Sequence, residues 1–278
     1  LNRLMGYCNE LDALRFFQLV HLAYDNAISD FNQKSLIFYH IHNPDTYAKL
    51  NFARLAPDAS WLMMVREPLQ SCESWLREHF LENNYGAMAT RIYRMLFDFD
   101  DKTFFGRDCI AARLEDLKQN PKGTIRALCG WMGIEEEDVL YRMTAQGKKW
   151  WGDPSSPDFG KEEMKPFGKS SINREVGMIF SESDQFVLQT LFYPFSVRFG
   201  YVEENLKKFK TDLKAIRPMI DEMFDFEKRI VEAQAMDPAQ FMRSGSYCYL
   251  RAGMVERWNT LVRFSTYPNM FRALRIDT

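Results

Sequence analysis

The stretch Trp61–Arg77, WLMMVREPLQSCESWLR, decides how the chain is read. Trp61 to Val65 is an unbroken apolar run of a length that suits a buried strand, and it ends on the cation Arg66. Pro68 follows, suited to the first turn of a helix because its missing N–H has no intrahelical partner there, and helical spacing continues through Leu81. A strand that runs straight into a helix is half of a strand–helix–strand unit, and sheets of such units gather ligands at the carboxyl ends of their strands. Arg66 stands at such an end, with Ser74 eight residues later. A planar guanidinium, a hydroxyl and helix N-terminal amides together favour an anion with several oxygens, a phosphate above all. The competing reading pairs Arg66 with Glu67 at the surface and leaves Ser74 to solvate its helix.

On the amino-terminal side, Leu11, Leu14, Phe17, Val20, Tyr24 and Ile28 recur at the spacing of an amphipathic helix over Asn9–Phe31. SLIFYHIHNPD, from Ser35, reads as a buried strand that breaks at Asn43-Pro44, and Pro44 opens a helix through Leu55. On the other side, helical spacing covers Tyr85–Phe97, DCIAARL gives a third strand over Asp108–Leu114, and a helix begins by about Pro121. Alternating strands and helices predict a parallel sheet with covering helices, whose carboxyl ends carry His40, His42, Arg66 and Arg113.

Residues 147–181 form a Gly, Pro and Ser-rich segment far beyond the usual loop of about four to six residues, the kind that compact domains keep for function or leave disordered. A helix returns over Glu182–Tyr201. Glu203–Ile230 reads as one charged helix kinked at Pro218, with Leu206, Phe209, Leu213 and Ile216 as its apolar stripe, a surface on which two copies of the chain could pair. The expectation is an α/β domain over 1–201, with a parallel sheet flanked by helices, and a helical C-terminal extension over 202–278.

Composition sets the remaining bounds. Among 278 residues, 46% are hydrophobic and 27% charged, the composition of an ordinary globular protein rather than of a disordered chain. A net charge of −2 gives no global pull toward nucleic acid or an acidic membrane, so neither is expected as a partner. The five cysteines are scattered and odd in number, with neither a CxxC pair nor metal-ligand spacing, as in a reducing compartment. With no apolar run of membrane-spanning length and no signal-peptide layout, a cytoplasmic protein is expected.

Three segments, in order, carry a resemblance. Arg66-x-Pro68 with Ser74, behind an apolar strand, resembles the 3′-phosphate-binding segment of sulfotransferases that use 3′-phosphoadenosine 5′-phosphosulfate (PAPS). ARLEDLKQNPKGTIRALCGWMGI, from Ala112, resembles that family's later strand, Arg-Tyr-Glu-Asp-Leu followed by a Pro-led helix. KPFGKSSINREVGMI, Lys165 to Ile179, resembles the nucleotide-covering loop of the tyrosylprotein-type branch, and RFGY at Arg198–Tyr201 is similar to the family's terminal Leu-Gly-Tyr.

The resemblance implies a P-loop sulfotransferase-like fold and sulfuryl transfer from PAPS to a hydroxyl acceptor, a small molecule or a carbohydrate. It places Arg66, Ser74 and Arg174 on the 3′-phosphate and Lys169 and Leu114 beside the nucleotide. His42 becomes the base that takes the acceptor proton, a task neutral histidine suits with its ordinary pKa of about 6.5. Leu114 stands where the family packs Tyr on adenine, and no glycine-rich loop precedes Ser35 to wrap the 5′-phosphosulfate. FGKSS at Phe167–Ser171 is no substitute, because a phosphate loop would need Gly where Glu163 stands. The expectation is therefore a chain lacking its first strand and phosphate loop. The alternatives are a non-catalytic nucleotide-binding or assembly protein that retains the fold, and a P-loop nucleoside-phosphate kinase relative.

Overall fold

In the computed structural model, the residues described are 1–7, 10–29, 34, 36–41, 46–98, 106–142, 144–145, 148–149, 167–168, 172, 175–267 and 270–276. They fall into two units, 1–60 with 103–108 and 61–102 with 109–278. The first unit begins with α1 (Asn2–Met5) and α2 (Ala13–Ala27), the latter capped by Asp12, whose carboxylate accepts from the Arg15 backbone N–H at 2.7 Å. α3 follows at Thr46–Leu55.

Between these helices the expected strand is absent, for Leu36–Ile41 forms no strand. Its side chains explain the difference. Tyr39 stacks on Phe52 of α3 at 5.1 Å and meets Phe17 of α2 edge-on at 5.2 Å, while Phe38 is 70% exposed. An apolar, β-prone run has been taken up by aromatic packing on two helices, and among the described residues no strand pairs with it.

The second unit opens with β1 (Trp61–Val65), α4 (Pro68–Leu81), α5 (Tyr85–Phe97) and β2 (Cys109–Arg113). α4 starts as its sequence dictates: Pro68 occupies the first turn and the Glu67 carboxylate caps the Gln70 N–H at 2.6 Å. Asn84 caps α5 through Ala87 N–H in the same way. β1 and β2 are parallel and in register, from Trp61 opposite Cys109 to Val65 opposite Arg113. The first four residues of β2 are buried, as a central strand requires.

After β2 the chain turns at once into α6 (Leu114–Gln119), a helix that starts earlier than the sequence reading placed it, and then α7 (Pro121–Met132). Gly133 ends α7 at a φ of +66°, the left-handed turn for which glycine has no steric penalty. Short antiparallel strands β3 (Thr144–Ala145) and β4 (Lys148–Lys149) precede α8 (Glu182–Arg198), whose start is a capping box between Ser181 and Asp184.

The charged stretch read as one helix kinked at Pro218 is two. α9 (Leu206–Asp221) carries Pro218 in its last turn, and α10 (Asp225–Ala233) begins anew after Glu222–Phe224, where the Glu227 carboxylate accepts from Phe224 N–H at 2.8 Å. Phe209, Leu213 and Ile216 of the α9 stripe are buried where that helix packs on α8 and on α12 (Gly245–Phe264), whereas Leu206 stays exposed. α11 (Pro238–Met242) lies between, and the chain finishes with β5 (Arg272–Ala273), a strand with no counterpart in the sequence reading. β5 pairs parallel with β2, completing the order β1-β2-β5. The architecture is mixed α/β and 64% helical, a small parallel sheet flanked by helices. No described helix is long and apolar enough to cross a membrane.

The helices around the sheet are held by close contact and buried charge. α12 crosses α5 at Gly253, where an added Cβ would meet Tyr93 ring carbons at 2.4 and 2.6 Å. Tyr93 cannot swing aside freely because it is stacked on Tyr249 at 4.2 Å. Helix propensity alone says that Gly253→Ala should stabilise by up to about 1 kcal/mol, whereas overpacking costs about 1–3 kcal/mol. We expect the clash to win and thermal denaturation to show a lowered midpoint; a raised midpoint would refute this packing.

Candidate functional site

The register of β1 against β2 brings their carboxyl ends to one edge, so Arg66 and Leu114 each follow directly on a strand end there. Arg66 is half-buried, and its guanidinium donates from Nη2 to Gln70 Oε1 on α4 at 3.3 Å. The amino end of α4, a helix of 14 residues, opens at the same edge and favours negative charge.

Lys118, one turn along α6 from Leu114, is the second cation. It is half-buried and donates from Nζ to the Gly168 carbonyl at 2.6 Å. Burial, together with the Arg66 charge, holds its ammonium below the usual lysine range. Two cations close enough to disfavour one another in a partly desolvated place are relieved by an anion between them.

The carboxylates of this edge are committed to other partners. Glu115 is buried and accepts from Glu67 N–H at 2.9 Å and from the Tyr201 hydroxyl at 2.9 Å, which joins the exit of β1 to the end of α8. Burial pushes the Tyr201 hydroxyl up, with the Glu115 charge adding to the shift. Burial likewise raises Glu67 above the usual carboxylate range, against the hydrogen bonds it accepts at the start of α4. Asp116 is raised by burial too, and the neighbouring Arg113 offsets part of that. Arg113, which the sequence reading put at the ligand edge, lies over the Tyr201 ring at 4.5 Å and 3.6 Å from Asp116. It acts as a strut.

Ser74 is half-buried on α4. Beside it, Glu73 is buried and gathers backbone N–H groups from the far end of the long segment: Gly177 at 3.1 Å to both oxygens, Met178 at 2.9 Å and Phe180 at 3.2 Å. Arg229 of α10 holds the same turn by its carbonyls, Met178 at 3.0 Å and Ile179 at 3.2 Å. The segment Lys165–Ile179 is thus tied at Gly168 to α6 and at 177–178 to α4, next to Ser74. Lys169 and Arg174 lie between those ties, and like His42 they fall outside the described residues. His40 belongs to the first unit, in the stretch that is not a strand.

The structure therefore gathers Arg66 and Leu114 at one sheet edge and carries Ser74 on the helix that leaves it. Lys118, Glu73 and Tyr201 were missed as site residues. For Lys118 a signal existed, since it stands four residues after Leu114 and so on the same helical face. For Glu73 and Tyr201 no local pattern reveals a partner roughly a hundred residues away, as the separations of 104 and 86 show.

No protein-family model, curated protein or solved structure matches the chain. What the site can do rests on its own geometry.

Glu73→Gln tests the tie beside Ser74. An amide offers one oxygen where the carboxylate offers two, so at least one of the three N–H groups is left facing an NH₂ donor. We expect a loss of about 1–3 kcal/mol in denaturant unfolding, together with faster hydrogen exchange at Gly177, Met178 and Phe180. Unchanged exchange there would remove Glu73 from this role.

Proposed function

We propose that the carboxyl edge of β1 and β2 binds the 3′-phosphate of an adenosine nucleotide, and that the chain is a sulfotransferase using PAPS as sulfuryl donor and a hydroxyl compound as acceptor. The observation that carries this reading is the juxtaposition of two half-buried cations, Arg66 just past the end of β1 and Lys118 on α6, which follows β2, beside the amino end of α4. Ser74 of α4 is proposed as a further phosphate ligand, and the sequence resemblance adds Lys169 and Arg174, which fall outside the described residues. Leu114 offers adenine an apolar contact in place of a hydroxyl.

In the reaction the acceptor oxygen forms a bond to sulfur as the bond from sulfur to the bridging phosphate oxygen breaks. The acceptor proton goes to a base, for which His42 is the candidate, and the leaving nucleotide keeps the electron pair. Arg66 and Lys118 supply orientation: a nucleotide gripped at its 3′-phosphate has its 5′ end placed for in-line transfer.

A second reading is nucleotide binding without transfer, which the same anion-binding edge of Arg66 and Lys118 would serve equally well.

Calorimetry with 3′-phosphoadenosine 5′-phosphate tests the nucleotide assignment, and absence of binding would overturn it. Arg66→Ala should weaken that ligand roughly ten- to hundredfold while leaving adenosine 5′-phosphate nearly unchanged, as expected for loss of a charge-assisted hydrogen bond. Equal losses for both ligands would take Arg66 off the 3′-phosphate. Sulfuryl transfer to a phenol separates the two readings, since binding without turnover supports the second.

The depressed Lys118 ammonium sets a pH dependence. Phosphate is held best while Lys118 is charged, so affinity should fall as pH rises through its lowered pKa, before ordinary lysines titrate. Lys118→Arg keeps the charge at every working pH and should flatten the decline. A profile that Lys118→Arg leaves unaltered would exclude Lys118 from the anion's surroundings.

A further inference from the structure

We propose a second ligand site, for a small amphiphilic anion with a flat apolar body, in the cavity between β5, β2 and α7. It is an open hollow of about 610 Å³, within the range of small-molecule pockets. Its apolar lining comes from Ile110 of β2, Ala127 of α7 and Leu274, which follows β5 and is fixed by donating its N–H to the Ala111 carbonyl at 2.8 Å. Trp131, one turn along α7 from Ala127, adds an indole to the same lining.

Every charged side chain among the described lining residues is an arginine. Arg198 comes from the end of α8, Arg272 from β5 and Arg275 from beyond it, and all three are exposed. The nearest acid of the adjoining hollow, Asp116, lines a separate cavity that shares Leu274, and it is paired with Arg113 at 3.6 Å. Guanidinium groups bind carboxylate, sulfonate and phosphate oxygens through a planar fork and also stack on aromatic rings. An apolar floor, an indole and three guanidinium groups therefore select a ligand that joins a ring-sized apolar body to one anionic group. A neutral or cationic ligand of the same shape loses the rim.

This hollow differs from the proposed nucleotide site. Ile110 is next to the amino end of β2, whereas Leu114 follows its carboxyl end, roughly 13 Å further along at about 3.3 Å per residue. Its arginines are also different ones. The inference stands whether or not the chain binds a nucleotide.

Naphthalene-2-carboxylate is the probe, with 2-naphthalenemethanol and 2-naphthylmethylamine as neutral and cationic controls of the same shape. Calorimetry with the whole chain should give saturable one-to-one binding of the carboxylate, roughly tenfold or more tighter than the alcohol, as charge-assisted hydrogen bonds predict. Arg198→Gln and Arg272→Gln should each weaken the carboxylate several-fold and leave the alcohol unchanged. Arg66→Ala should have no effect on it. No saturable binding up to millimolar concentration overturns the proposal. So does equal affinity for carboxylate and alcohol, or carboxylate affinity that survives the double arginine variant.

Discussion

The backbone N–H of Glu67 lies where β1 has ended and α4 has not yet begun, so neither the sheet nor the helix supplies its acceptor. Glu115 does, and the rest of the site depends on that bond. The same carboxylate takes the Tyr201 hydroxyl, so a single buried group fixes the exit of β1, the first turn of α6 and the chain after α8. Arg113, over the Tyr201 ring and 3.6 Å from Asp116, braces the same junction. With the exit of β1 held in this way, Arg66 cannot move far from Leu114, and the two strand ends act as one edge.

Farther out, the helical shell uses the same device with higher stakes. Glu227 of α10 is fully buried and receives the Tyr85 hydroxyl from α5 and the Arg251 guanidinium from α12. Burial drives its carboxyl up, and Arg251 and Tyr85 pull it back. Arg251 is further held by the Glu222 carbonyl at 2.9 Å and lies between the rings of Phe224 and Tyr247 at 4.4 and 4.3 Å. Breaking such a buried pair costs about 3–5 kcal/mol, against about 0–1 kcal/mol for an exposed pair such as Lys208 with Asp212. Arg257, also on α12 and fully buried, sits over Phe97 and Tyr267 at 4.5 and 4.1 Å. Polar groups that long-range packing has buried thus fix the orientation of the C-terminal helices around α5, a stiff wall behind α4.

What could be read from the sequence follows from how local each determinant is. Pro68 and Glu67 define the start of α4 within four residues, and Pro121 with Asn120 does the same for α7, so both helices begin where read. Leu36–Ile41 failed because β-propensity describes a surface that fits a neighbour, and among the described residues no strand pairs with it. Glu203–Ile230 reads as one helix with Pro218 as its kink; α9 runs through Pro218 to Asp221, and the break comes beyond it, at a buried Phe224 whose N–H the Glu227 carboxylate accepts. β5, two residues long, carries no pattern of its own and exists through pairing with β2. The placement of Arg66 and Leu114 at the strand ends, and of Ser74 on the helix after β1, was legible because each follows a strand within a short span. For Lys118 the sequence offered only its helical spacing from Leu114; its tie to Gly168, 50 residues on, is a product of the fold.

That Lys118 both ties Gly168 and stands beside Arg66 raises the question of whether an anion would release the tie. An ammonium carries three donors and the Gly168 carbonyl takes one, so two remain for phosphate oxygens. Anchoring and anion binding are therefore compatible, and they reinforce one another: the carbonyl dipole favours the charged form of Lys118, and so does the anion. At the other end, the Glu73 carboxylate accepts from the N–H groups of 177, 178 and 180 and so secures that turn of the backbone. Segment and site are coupled through two residues of opposite sign. The acid serves the scaffold, and the base is shared between scaffold and ligand.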